Sequence, residues 1–255
     1  MNTKNLPLVS IITPVFNSSK FLNDSIQSVL NQSYSNWEHL LVDDCSTDNS
    51  VELIEIIQKK DHRIKLFRLK VNSGSGLARN LAIESAKGKY VAFLDSDDYW
   101  APHKLETQVK FMENNKIAFS HSSYGFWSED GVEIRKPYNV SESPVSYKDL
   151  LKKTEISCLT AIYNQEIIGK MFMPNLRRKQ DYALWLSILK KGYKSYPQQE
   201  VLAYYRQRKG SATNKKQELI LKHYKFLRNN EKLSVPKSIL YTIYWIWNGL
   251  VKFYF

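Results

Sequence analysis

Residues 90–100 read Tyr-Val-Ala-Phe-Leu-Asp-Ser-Asp-Asp-Tyr-Trp. The apolar, β-prone run Tyr90–Leu94 stops abruptly in three carboxylates, Asp95, Asp97 and Asp98. In an open α/β sheet, ligands bind beyond the carboxyl ends of the strands. Carboxylates placed there can hold a divalent cation, and the cation can hold a diphosphate. Taken alone, the same residues also suit an Asp-rich turn that caps the next helix. The surrounding chain decides between the two.

Upstream, apolar runs and helical patterns alternate. Leu8–Thr13 is a short strand ending at Pro14. Phe21, Leu22, Ile26, Val29 and Leu30 follow at helical spacing after Ser18 and Ser19. Glu38–Val42 is a second strand, ending in Asp43 and Asp44, and Val51, Leu53, Ile54 and Ile57 mark a second helix. Ile64–Leu69 is a third strand. Gly74-Ser75-Gly76 opens a third helix carrying Leu77, Ala78, Leu81 and Ala82. Strands separated by helices of this length imply right-handed crossovers and an α/β fold with a mainly parallel central sheet flanked by helices.

Downstream the order weakens. Lys104–Asn114 reads as a helix and Ile117–Ser122 as a strand. Residues 128–146 read as loop, with Gly131, Pro137 and Pro144. Asp181–Lys191 is a strong helix, and Val201–Arg206 is strand-like. The expected division is a domain over residues 1–212, in two halves, 1–100 and 101–212, and a basic, aromatic tail over 213–255.

The 255 residues suffice for a sizeable core. Two distant cysteines, Cys45 and Cys158, argue against a disulfide scaffold and for a reducing compartment. No secretory signal is expected from the N-terminal residues. The net charge of +12 is uneven: residues 1–100 carry 11 Lys/Arg and 12 Asp/Glu, so the excess lies entirely in the second half. That half is therefore expected to meet something anionic.

In a parallel sheet, the acidic strand ends Asp43-Asp44 and Asp95–Asp98 share one edge. The loop Val71–Gly76 reaches that edge and leads into a helix N-terminus, where backbone N–H groups favour phosphate. Arg79 lies in the first turn of that helix, where a cation opposes the helix dipole and an anionic partner would rationalise it. An ordinary surface ion pair is the competing explanation for Arg79.

Four ordered motifs carry a family likeness: Val9–Asn17, Val42–Asp48, Ala78-Arg79-Asn80 and Phe93–Asp98. Together they resemble the family 2 glycosyltransferases, inverting enzymes with the GT-A fold, over roughly residues 7–210. The resemblance implies a nucleotide-sugar donor, a UDP-hexose such as UDP-galactose or UDP-glucose first, and a divalent metal, Mn2+ or Mg2+. It places Thr13 and Pro14 in the nucleotide pocket, with Asp43 the less certain member of its pair, and Asp44 on the base. Asn72 and Arg79 fall near the diphosphate or sugar. Asp95-Ser96-Asp97 matches the family's Asp-x-Asp motif, Asp95 toward ribose and metal, Asp97 as the direct metal ligand. Asp98 falls near the sugar or behind the metal.

The resemblance also makes Asp181 the base that deprotonates the acceptor hydroxyl, at the start of the helix carrying Trp185. Gln180 stands where an acidic residue is commoner. A helix-terminal carboxylate held by the dipole is the plainer explanation of Asp181 alone. Tyr205-Arg206-Gln207-Arg208 resembles the segment that closes over the diphosphate. Arg208 replaces a frequent histidine, so Arg206 and Arg208 are expected as diphosphate contacts, with Ser211 adding a hydrogen bond. His103 and His121 are expected to be structural.

The implied acceptor is a lipid-linked oligosaccharide or surface polysaccharide, of the capsule or O-antigen type. Residues 206–237 carry 10 Lys/Arg against 2 Asp/Glu, and seven of the last fifteen residues are aromatic. That combination suits peripheral attachment to an anionic membrane at the cytoplasmic face. Packing of the tail on the catalytic domain, or on a second subunit in a homodimer, is the alternative. A sugar-phosphate nucleotidyltransferase would need a Gly-rich, basic loop after the first strand, where this chain has Thr13–Ser18. No nucleic-acid partner is expected, because the acidic strand ends would repel phosphates unless a metal intervened.

Overall fold

The structure, a computed structural model, describes residues 6–208 and 216–254. Four strands, β1 (Val9–Val15), β2 (Trp37–Asp43), β3 (Ile64–Arg68) and β4 (Tyr90–Phe93), alternate with helices α1 (Ser19–Leu30), α2 (Ser50–Gln58) and α3 (Ser75–Ser85). β1 pairs in parallel with β2 and β4, and β2 with β3. Every residue of β1, β2 and β4 is buried. Strands covered on both faces need near-continuous apolar runs, which is what these carry.

β1 runs through Pro14 rather than stopping before it. The Leu94 N–H donates to Ile12 O at 3.0 Å, so alternate residues from Ile12 turn their backbone groups toward β4. Pro14 lies past the last residue of β4, where an N–H would find no ladder partner. A proline is therefore accommodated inside a central strand.

The second half comprises β5 (Tyr99–Trp100), α4 (Lys104–Asn115), β6 (Phe119–Trp127), β7 (Glu133–Tyr138), α5 (Tyr147–Lys152), β8 (Ile162–Asn164), α6 (Gln165–Ile168), α7 (Gln180–Lys190) and β9 (Tyr196–Arg206). One sheet runs β3-β2-β1-β4-β8-β6-β9-β5, with β7 beside β6. Its parallel half is continued by β8, antiparallel to β4 and β6, and by the parallel pair β6–β9. Two expectations are corrected. The stretch 128–146 holds β7, an edge strand that pairs only with β6 and so tolerates Pro137. β9 begins at Tyr196, five residues before the expected Val201. Its polar start, Gln198-Gln199-Glu200, hides the strand from a hydrophobic pattern.

Trp185 on α7 fixes the second half against the first. Its ring meets Phe93 of β4 edge-on at 5.3 Å and lies 5.3 Å from Phe119 of β6, while Phe93 also stacks on Tyr163 of β8 at 6.2 Å. Buried aromatic pairs of this kind contribute about 0.5–1.5 kcal/mol each beyond their area. The N-terminus of α7, Gln180-Asp181, is thereby held beside the end of β4.

Helices α8 (Lys216–Asn229) and α9 (Val235–Tyr254) close the chain. Phe226 and Leu227 of α8 join the same core as Trp185. On α9, Trp245 Nε1 donates to Thr154 Oγ1 at 2.9 Å, and Asn248 Nδ2 donates to the Lys152 carbonyl at 3.1 Å. The opposite face exposes Ile239, Leu240, Ile243, Tyr244 and Trp247. Among the described residues, no helix is long and apolar enough to cross a membrane.

Three buried histidines bear on acid stability. His39 shares a 2.8 Å hydrogen bond with Thr13, and His121 shares one of 2.7 Å with Ser195. Burial lowers all three: His39 to about 3, His223 to about 2, and His121 in the same direction. A group with a depressed folded pKa contributes stability above its unfolded pKa and loses it as pH falls toward the folded one. Wild-type stability is expected to decline below about pH 6.5, the ordinary histidine value. A steeper loss should follow below pH 4.5, where Glu155 and Asp48, each lowered to about 2, become protonated on unfolding. His39→Gln should flatten the decline between pH 6.5 and 4 in urea titrations; an unchanged slope would remove His39 from this balance.

Candidate active site

At the carboxyl edge of the parallel strands lies a pocket of about 300 Å³, lined by Pro14, Val15, Phe16, Ser18, Asp44, Ser75, Arg79, Asp95, Ser96, Asp97, Tyr205 and Arg208. Local sequence explains its parts. β1 and β4 end here, so Pro14–Phe16 and Asp95–Asp97 project past the sheet. Gly74 caps α3 with φ +86°, a left-handed geometry that suits glycine. Asp44 fixes that cap: its Oδ1 accepts the Ser73 N–H at 2.6 Å and its Oδ2 the Gly74 N–H at 2.8 Å. Asn72 ties the same loop down by donating to the Asp44 carbonyl at 3.0 Å. Asp43 turns away, accepting the Ser46 N–H.

Arg79 is buried and its guanidinium meets Asp95 Oδ1 at 2.5 Å. Burial opposes its charge, but Asp95, with Asp181 farther off, raises its pKa above the ordinary arginine value. Ser96 is bonded to Ser18 through their hydroxyls at 2.7 Å. Burial, and then Asp95, raise the Asp97 carboxyl, against the pull of Arg208 and Arg206. Arg208 is paired directly with Asp97 at 2.9 Å.

Several expected residues take supporting places. The Thr13 hydroxyl faces His39 beneath the pocket floor, and Thr13 is not among the lining residues. Asp98 is fully buried and accepts the Arg206 N–H at 2.9 Å, so it anchors β9 from behind the pocket. Burial, then Asp97 and Asp95, raise it well above the ordinary value. Arg206 does not enter the pocket. Its Nε donates to the Asp97 carbonyl at 2.9 Å, Nη1 to the Glu129 carbonyl at 3.2 Å, and Nη2 pairs with Asp24 at 2.9 Å. It clamps the Asp97 turn to β9. Ser211 lies outside the described residues. His103 pairs with Glu200 on the surface, and His121 sits among Ser195 and Glu155 in the interior.

Asp181 opens onto a second cavity, also about 300 Å³, lined by Lys153, Thr154, Lys179, Tyr182 and Trp245 among others. Burial raises its carboxyl and the Arg79 guanidinium pulls it back. Asp95 and Asp181 thus act on Arg79 from the two cavities. Gln180 braces the arrangement: its Nε2 donates to the Leu176 carbonyl at 2.5 Å, a bond a glutamate could not make, and its side chain packs where Gly76 lacks a Cβ. Phe16 and Tyr205 also line the pocket, although the motifs that contain them gave neither a role of its own. The one available signal for Phe16 was a large aromatic one residue past a buried strand, and it is half exposed here.

Two carboxylates at the pocket rim, Asp95 and Asp97, are hard oxygen donors of the kind Mg2+ and Mn2+ prefer. Among the described residues, no group of three or more His, Cys, Asp or Glu is arranged to hold an ion. The set fits a site that a diphosphate completes, the usual way Mg2+ is held by one or two carboxylates plus phosphate oxygens.

The acidic turn over this pocket, at the carboxyl edge of a mainly parallel sheet flanked by helices, is the GT-A arrangement. Residues 10–172 match the family described as Glycosyl transferase family 2, and the chain belongs to that family. It is 42% identical over 246 residues to TuaG of Bacillus subtilis (strain 168), named for a glycosyltransferase role in teichuronic acid biosynthesis, covering 96% of this chain and 97% of that one. It is 36% identical over 247 residues to WfaP of Escherichia coli, covering 97% and 96% respectively. That relative is named a UDP-Glc:alpha-D-GlcNAc-diphosphoundecaprenol beta-1,3-glucosyltransferase. The fold matches S. aureus TarS 1-349 in complex with UDP-GlcNAc at TM-score 0.72 and 20% identity, over 95% of this chain and 72% of that one.

A divalent cation binding at Asp97 would compete with Arg208 for the carboxylate. Arg208→Gln is expected to tighten Mn2+ binding measured without nucleotide, because a cation leaves Asp97, and to weaken UDP binding measured with Mn2+. Unchanged Mn2+ affinity in nucleotide-free protein would place the metal away from Asp97.

Proposed function

We propose that this chain transfers a hexose, glucose first, from its UDP donor to a hydroxyl of a sugar carried on a lipid diphosphate, with inversion, in assembly of a surface polysaccharide. The observation that carries this reading is the pairing of the two cavities. Asp95, Asp97 and Arg79 face one, and a half-buried carboxylate, Asp181, faces the other. A relative similar along nearly its whole length and named for UDP-glucose and a diphosphoundecaprenol acceptor, WfaP, supports the substrate classes.

In this reading the donor lies in the pocket at the strand ends, its base between Phe16 and Asp44 and its diphosphate toward Arg208. Asp95 and Asp97 would hold a divalent metal, Mn2+ or Mg2+, which when bound supplies positive charge to the leaving diphosphate. Arg79 pairs with Asp95 and holds it in place. Asp181 takes the acceptor proton as the hydroxyl attacks the anomeric carbon from the face opposite the departing UDP. Its raised pKa suits a general base, and the nearby Arg79 keeps it from rising further.

The exposed apolar stripe Ile239, Leu240, Ile243, Tyr244 and Trp247 fits attachment to the interfacial region of a membrane. The lysine- and arginine-rich stretch around α8 adds attraction to anionic headgroups. The same helix packs on the protein with its other face, so both expectations for the tail find a surface. The site of action under this reading is the cytoplasmic face of the plasma membrane.

The test separates binding from turnover. Asp181→Asn should keep UDP-glucose affinity and lose transfer by about a hundredfold or more, the scale of general-base catalysis. Asp97→Ala should lose metal-dependent UDP binding as well. Wild-type turnover in Asp181→Asn at saturating donor would assign the base elsewhere.

A further inference from the structure

The cavity beside Asp181 is built from four segments: the end of β7, the loop after α5, the start of α7 and the C-terminal helix α9. Its lining brings together Lys153, Thr154, Lys179, Asp181, Trp245, Asn248 and Gly249. The two ammonium groups outnumber the carboxylate, although Glu155 lies 3.3 Å from Lys153 and offsets part of its charge. Lys179 is the unusual member. It caps α7 with φ +62°, a conformation that disfavours most side-chain-bearing residues. Its Nζ contacts His223 Nδ1 and lies 4.8 Å from the centre of the Trp245 ring. Burial lowers it to about 8, with Asp181 opposing the change. A half-buried lysine in a strained conformation, beside a carboxylate and an indole, is costly to maintain for packing alone.

The α9 wall is held in register. Trp245 stacks on His223 at 4.4 Å and bonds Thr154, and Asn248 bonds the Lys152 carbonyl. The apolar stripe of α9, including Ile243 and Trp247, lies on the outer surface of the same helix.

We propose that this cavity is the acceptor subsite and takes a glycosyl diphosphate bearing a lipid. The sugar packs against Trp245 with its reacting hydroxyl toward Asp181. The diphosphate is met by Lys153 and Lys179, and the lipid leaves along the outer stripe of α9. The C-terminal helix is then part of the binding site as well as a surface attachment. This assignment rests on the glycosyltransferase reading above.

The probe is N-acetylglucosamine α-diphosphate carrying a short alkyl chain, titrated into the full-length protein by calorimetry, with UDP titrated in parallel. Trp245 also supports packing, so Lys153→Gln and Asn248→Ala are used beside Trp245→Phe. Lys153→Gln and Asn248→Ala should each weaken the probe, Lys153→Gln by roughly tenfold or more, the scale of a charge-assisted hydrogen bond. UDP affinity should be unchanged in both. Folded variants that bind the probe as tightly as wild type, or a wild type that binds UDP but not the probe, overturn the subsite and leave the donor reading standing. A wild type that binds no UDP with metal present overturns the donor reading and the subsite with it.

Discussion

The contact between the buried Arg79 and the half-buried Asp95 organises the site. Four carboxyl groups gather near the ends of β4 and α7: Asp95, Asp97, Asp98 and Asp181. Left together in a half-dry pocket they would drive one another neutral. Arg79 reaches Asp95 directly and Asp181 through space, so one guanidinium steadies groups that face different cavities. Breaking a buried pair costs more than the pair itself contributes, because the surviving charges lose their partner. The helix that presents Arg79 is in turn fixed by Asp44 and Asn72, which tie its glycine-rich N-terminal loop to the end of β2.

Most of this edge was legible in the chain. An apolar run that ends in Asp-Ser-Asp announces its own geometry, because strand period and strand end are local properties. The same holds for Gly74, whose left-handed cap has a sequence signature, and for the helix carrying Trp185. Arg206 was not legible. Its partners, Asp24, the Glu129 carbonyl and the Asp97 carbonyl, lie between 77 and 182 residues away in sequence, and only the sheet brings them together. Thr13 was misleading for a related reason: its place at a strand end is local, but the His39 that claims its hydroxyl comes from the neighbouring strand. β7 and the start of β9 were hidden because edge and half-exposed strands carry polar residues with no strong period.

The tail shows how one helix serves two surfaces. Asn248 and Trp245 secure α9 to residues 152–154, while Ile243 and Trp247 remain outside. A sequence of aromatic residues with a single Asn and a Gly does not tell which of them pack on the protein. The structure separates a packed face from an exposed apolar one.

Under the proposed reading, the placement of the two cavities sets the stereochemistry of transfer. With the leaving diphosphate at Asp95–Asp97 and the acceptor hydroxyl at Asp181, attack and departure would occupy opposite faces of the sugar. The decisive measurement is the anomeric proton coupling of the glycoside formed from an α-linked UDP-hexose, read by NMR. A β-linked product is the expected result. An α-linked product would contradict single displacement and remove Asp181 from the role of base.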